Sequence, residues 1–170
     1  MEVLLLGCSG KSFLLSEEGS SPGECIVFGS ITLQGKGEED VNEKYPKGGG
    51  VSLYHESGGS PLITIGLKEG HTRMFFLSLK PGRYFLPSFK TGFDLGDIKS
   101  IKTYRVFSEF RAQDPKSIAY IGDLSICFEG CSSFASVRDQ YEMAVQIFKE
   151  KFPKINSSIF KSLMQREKAL

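Results

Sequence analysis

The imidazole and thiol side chains, which can act as nucleophiles, metal ligands or proton carriers near neutral pH, are few in this sequence: two histidines, His55 and His71, and four cysteines, Cys8, Cys25, Cys127 and Cys131. A histidine works as a general base or ligand when a neighbouring group fixes its tautomer. Neither His55 nor His71 lies in a motif that supplies an orienting carboxylate or a second ligand, so each reads as a surface or loop-edge residue. Cys127-x-x-x-Cys131 has the spacing of a metal half-site, and Cys25 with one histidine would bring the set to four. Structural zinc sites draw their ligands from two tight pairs, and here there is one pair. The same residues define an alternative: a small thiol- or metal-dependent enzyme using Cys127, Cys131 and His55 or His71. His-x-x-x-His and Cys-x-x-Cys do not occur in the sequence. The reading therefore assigns no catalytic residue, no metal ligand and no cofactor.

Asp94, Asp97 and Asp123 are the carboxylates best placed to be read as ligands or acid/base groups. Gly92-Phe93-Asp94-Leu95-Gly96-Asp97 lacks the alternating oxygen ligands and closing glutamate of a calcium loop, so turn-forming aspartates explain it better. Asp123 is the more curious case, because it interrupts a strand pattern next to Gly122. Gly7-Cys8-Ser9-Gly10-Lys11-Ser12 ends like a nucleotide-binding loop. Two residues between Gly7 and Gly10 cannot curl enough backbone N–H groups around a phosphate, and the Ser-, Gly- and Pro-rich stretch from Glu17 to Gly23 is not the helix that should follow.

The opening Leu5-Leu6-Gly7-Cys8, reached through an apolar run from Val3, resembles the end of a bacterial lipoprotein signal peptide. A basic start is missing, and only seven residues precede Cys8. The resemblance implies that Cys8 is acylated and becomes the mature N-terminus, with residues 1–24 serving as anchor and flexible tether. The competing reading of the segment is a first β-strand.

The 21 basic residues nearly cancel the 20 acidic ones, which leaves no large net field to favour nucleic acid. A chain of 170 residues with 40% hydrophobic content can bury a single core. Its 19 glycines and 14 phenylalanines suit strands joined by tight turns. Cys25, Val27, Ile31 and Leu33 alternate with Ser30, Thr32 and Gln34, the pattern of a half-buried strand. Gly35 to Gly50 reads as a long loop, and Val51–His55 with Leu62–Leu67 as a hairpin. Met74–Leu79 and Arg83–Phe89 flank a turn at Lys80-Pro81-Gly82-Arg83. Ile101–Phe110 is a further strand, and Ile118–Phe128 a long central one whose Ile118, Tyr120, Leu124, Ile126 and Phe128 would share a face. Val137, Tyr141, Ala144, Val145, Phe148 and Phe152 then fall at helical spacing, with Ser132 or Ser133 as the cap and Pro153 as the stop. A second helix is expected from about Asn156, burying Ile159, Phe160, Leu163 and Met164.

Leu79-Lys80-Pro81-Gly82-Arg83-Tyr84 together with Tyr120-Ile121-Gly122 resembles the bacterial lipoproteins that carry a transthyretin-like or carboxypeptidase-regulatory-like sandwich. That resemblance covers roughly Cys25 to Phe128 and implies fold and location rather than chemistry, with a bulge or bend at Asp123. The sequence thus predicts a mainly β chain: an antiparallel β-sandwich of about seven strands over 25–131, and C-terminal helices over 132–170 packed on it. The function expected is that of a non-enzymatic, monomeric envelope protein. It would be held at a bacterial membrane by lipid on Cys8, and would contact an envelope protein, a peptide or a glycan through loops or a strand edge. Aromatic residues such as Tyr45, Tyr54 and Phe93 could stack on sugars, although scattered surface aromatics are ordinary. Cys25 is expected to be a buried free thiol. Cys127 and Cys131, separated by a stretch containing Gly130, are a candidate disulfide in an oxidising compartment.

Overall fold

Apolar alternation becomes strands much as the sequence predicts. The computed structural model describes residues 15, 19–36, 49–67, 70–94, 99–129 and 132–166. Two sheets face each other across one core. The first sheet orders β4 (Thr72–Leu79), β1 (Cys25–Lys36), β7 (Ile118–Glu129) and β8 (Ser132–Arg138), with short β9 (Ile159–Lys161) also on β7. The second orders β10 (Gln165–Arg166), β6 (Lys99–Ala112), β5 (Gly82–Asp94), β2 (Gly49–His55) and β3 (Ile63–Leu67). Among the described residues there are ten strands, against about seven expected. Leu77, Leu79, Leu124 and Ile126 of the first sheet meet Leu53, Leu86, Phe89 and Tyr104 of the second, forming an ordinary sandwich interior.

The β2–β3 hairpin forms, with Val51 opposite Ile65 and Leu53 opposite Ile63. The Lys80-Pro81 turn, however, joins no hairpin: β4 pairs with β1 in one sheet, while β5 pairs with β2 and β6 in the other. The chain crosses between sheets there. Gly82 suits the crossing because its φ is +154°, and a Cβ there would lie 2.4 Å from His55 Nε2, so the ring would have to move. The Tyr84 phenol closes the corner by donating to Lys80 O at 2.8 Å, and burial pushes its pKa up to about 12. The sandwich is also not wholly antiparallel, since β1 and β7 run parallel. The chain builds β2 to β6 between them, so no short turn constrains their relative direction.

The C-terminal region differs most from its sequence reading. Among the described residues one helix is present, α1 (Tyr141–Lys151), and it starts later than expected. Ser132 and Ser133 belong to β8, which returns antiparallel along β7 with Ile126 opposite Ala135 and Leu124 opposite Val137. Val137 therefore packs into the sandwich rather than onto a helical stripe. The helix entry is held by Asp139 Oδ1, which accepts the Tyr141 N–H at 3.1 Å. The expected second helix is replaced by β9 and β10, because the backbone around Ile159 finds partners on β7 and that around Gln165 on β6. Ladder bonds to existing sheet edges outweigh the propensity of a short isolated helix. No helix of the described residues is long and apolar enough to cross a membrane. Leu15, within the expected tether, donates its N–H to Phe76 O and packs beside Phe76 and α1.

Candidate functional site

The outer face of the first sheet divides at one bulge. Phe28 lies beside Tyr120 and Ser30 beside Asp123, so Gly29 stands opposite both Ile121 and Gly122. This is the bulge expected beside Asp123, and both glycines are needed: a Cβ on Gly29 would lie 2.4 Å from Gly122 O, and one on Gly122, at φ +96°, 2.6 Å from Val137 Cγ1. The extra residue reverses the side-chain phase of β7. Ala119 and Ile121 face the sandwich before it, and Leu124 and Ile126 after it. Ile118 and Tyr120 consequently point outward, away from Leu124 and Ile126, which corrects the single face predicted from alternation.

On one side of the bulge the outer face is apolar and covered. Ile26, Phe28, Phe76, Ile118 and Tyr120 receive Ala144, Phe148 and Phe152 from the helix region. Phe148 is fully buried, its ring centroid 4.7 Å from that of Phe28 and 5.2 Å from that of Phe152. On the other side the same strands turn polar and the face is open. Thr72, Thr32, Ser125 and Ser136 form one row across four strands. Met74, Ser30, Asp123 and Arg138 form the next. Beyond them lie Gln34, Cys127 and Phe134.

These rows floor a groove of about 340 Å³. Its far wall is the first turns of α1, where Gln140, Met143, Ala144 and Ile147 line it. Ser30 and Ser125 are buried in the floor, while Met143 is 55% and Phe134 57% exposed. Thr32 Oγ1 and Thr72 Oγ1 share a hydrogen bond of 2.8 Å. At the closed end the Tyr120 hydroxyl accepts the Gln140 N–H at 2.9 Å. Burial, then the neighbouring Asp123 and Asp139 charges, push Tyr120 up to about 12 against the lowering effect of that hydrogen bond, so it stays a neutral phenol. Asp139, outside the groove, is bound by Lys161 Nζ at 2.6 Å, which holds its carboxyl below the ordinary aspartate range and ties β9 to the helix entry. Asp123 and Arg138, register partners of opposite charge, are the ionisable side chains lining the groove.

The sequence-nominated residues that are described lie on separate elements. His55 sits at the end of β2 in the second sheet, its ring edge-on to Tyr84 and Nδ1 2.8 Å from Ser57 Oγ. His71 is exposed just before β4, where its carbonyl accepts the Leu33 N–H. Cys127 lies on the outer face of the first sheet, its thiol 3.2 Å from Gln34 Oε1. Cys25 is buried in the core, donates to Leu79 O at 3.2 Å, and is pushed up to about 11 by burial. Among the described residues no three His, Cys, Asp or Glu side chains form a metal-holding group. Cys8, Tyr45, Asp97 and Cys131 lie outside the described residues, and with Cys131 so does its expected pairing with Cys127. Phe93 and Asp94 fall in β5. The Gly-x-Ser-x-Gly spacing of a nucleophile elbow, expected to be absent, is present at Gly19-Ser20-Ser21-Pro22-Gly23, but it leads directly into β1 rather than turning from strand to helix.

The polar side of the groove was signalled by Ser30-x-Thr32-x-Gln34. Thr72, Arg138, Gln140 and Met143 were not, because they join it only through strand pairing and the helix wall. A scan of protein-family models, a search of curated proteins and a search of solved structures find no match to this chain.

Proposed function

We propose that this chain is a non-enzymatic binding protein, monomeric and lipid-anchored to a bacterial envelope through Cys8, that contacts a neutral peptide, protein segment or glycan in the groove beside α1. The observation that carries the reading is the change of chemistry along a single sheet face. Where the helix packs, the face is aromatic; where it is open, it offers hydroxyls and amides from Ser30, Thr32, Gln34, Thr72 and Ser125 beside the apolar Met74, Met143 and Ile147. Such a concave site, with convergent hydrogen-bonding groups and an apolar wall, is the usual form of a small-ligand pocket. Asp123 and Arg138 offset one another, which favours a neutral ligand over a phosphate or a polycation. The anchor rests on the sequence around Cys8, and His55 stands in the opposite sheet from Cys127.

Amide-resolved NMR titration of the full chain with N,N′-diacetylchitobiose and, separately, trialanine tests the groove. Shifts concentrated at Ser30, Thr32, Asp123 and Ser125 with either probe support it; shifts confined to other regions, or none with either probe, contradict it. Metabolic labelling with a palmitate analogue behind the native upstream start tests the anchor, and labelling that survives Cys8→Ser would refute it. Stoichiometric zinc, or a single hyper-reactive cysteine, would favour the thiol or metal enzyme instead.

A further inference from the structure

The outer face of the second sheet has a different chemistry, unrelated to the groove. Arg83 of β5 and Arg111 of β6 are direct cross-strand partners, and like charges so placed destabilise a sheet. Arg105 stands opposite Ser88, and Lys90 opposite Thr103, on the same two strands. Glu109 of β6 binds Arg83, and Glu56 accepts the Arg83 N–H at 3.1 Å.

Two aromatic rings are set among the cations. The Arg83 guanidinium lies 5.0 Å over the Phe85 ring, and that of Arg105 5.8 Å over Phe107. Phe107 is 41% exposed and adopts φ +47°, a backbone conformation a bulky side chain avoids. The cause is a second bulge: Leu86 faces Ser108 and Ser88 faces Arg105, so Val106 and Phe107 share Pro87 as their opposite number. Pro87 has no N–H to give the ladder. The fold therefore retains two unfavourable features on this face, a like-charge pair and a strained exposed aromatic, and neither improves the core.

We propose that this face rests on an anionic phospholipid surface. Arginines and a lysine spread over a sheet match headgroup phosphates, and an exposed phenylalanine suits the interfacial depth at which aromatic rings partition. The ring faces of Phe85 and Phe107 are taken by guanidinium groups, which disfavours their use as stacking platforms for the bases of a single-stranded nucleic acid. The docking requires no acylation and stands apart from the groove reading.

Co-sedimentation of the full chain carrying Cys8→Ser, which removes the acylation site, tests the proposal with vesicles of phosphatidylcholine alone and of phosphatidylcholine with phosphatidylglycerol. Binding should be confined to the mixed vesicles and lost in about 1 M salt, where screening shortens to about 3 Å. Arg105→Gln with Arg111→Gln should weaken it about 25-fold, at about fivefold per arginine. Arg105→Lys with Arg111→Lys should retain it, and Thr32→Val in the groove should leave it unchanged. Equal binding to both vesicles, indifference to salt, or preference for an oligothymidylate over the mixed vesicles would overturn the proposal.

Discussion

Two halves of one sheet face, built by the same strands, are used in opposite ways. On β1, Phe28 and Thr32 point to the same side four residues apart; Phe28 is sealed under α1, while Thr32 lies on the open groove floor. On β7, Tyr120 and Ser125 show the same contrast, with the Gly122 bulge between them. A strand face need not be uniformly core or solvent. A local phase change lets the inner face stay apolar throughout while the outer face switches from packing surface to binding surface.

The comparison is broken most severely by putting a charge in the covered half. Phe148→Asp should cost about 5 kcal/mol, from the lost ring and an unpaired buried carboxylate, and urea unfolding would measure it. Parent-like stability would mean that α1 docks by another face. Gly122→Ala strikes the boundary itself: positive φ and the approach to Val137 should together cost about 3 kcal/mol, and amide shifts should spread into both halves. Tyr120→Phe, which strands the Gln140 N–H at the groove's closed end, should cost about 1–2 kcal/mol in the same unfolding assay.

The smallest effect is expected at Asp139. Its folded carboxyl titrates below the ordinary aspartate range because Lys161 binds it, so its contribution is present at neutral pH and lost as pH falls through the depressed value. Lys161→Met should raise that titration in carboxyl NMR with little change in stability, since the pair is exposed. An unmoved titration would remove Lys161 as the cause.

The fold class was legible because alternation is a strong signal wherever one strand face is buried; Cys25, Val27, Ile31 and Leu33 all reach the core. The helical stripe was also legible from Tyr141 onward. What alternation could not supply was phase across a bulge, so Ile118 and Tyr120 were grouped with Leu124 and Ile126 although Gly122-Asp123 was recognised as irregular. Ser132 to Val137 and Ile159 to Met164 were read as helix because short apolar segments carry both periods, and only a waiting sheet edge decides between them. Half of the groove was visible as a polar alternation on β1; its wall and its Arg138 depended on pairings no single segment encodes. The charge pattern on the second sheet was hidden for the same reason, since net charge says nothing about which cations share a face.

The most direct test of the division is a pair of substitutions on β1, Phe28→Ala and Thr32→Val, compared by urea unfolding. The account predicts a loss of about 3–5 kcal/mol for Phe28→Ala and about 1 kcal/mol or less for Thr32→Val, which gives up one exposed hydroxyl hydrogen bond with Thr72. Equal losses at the two positions would contradict it, because the open half would then be as much a part of the core as the covered one.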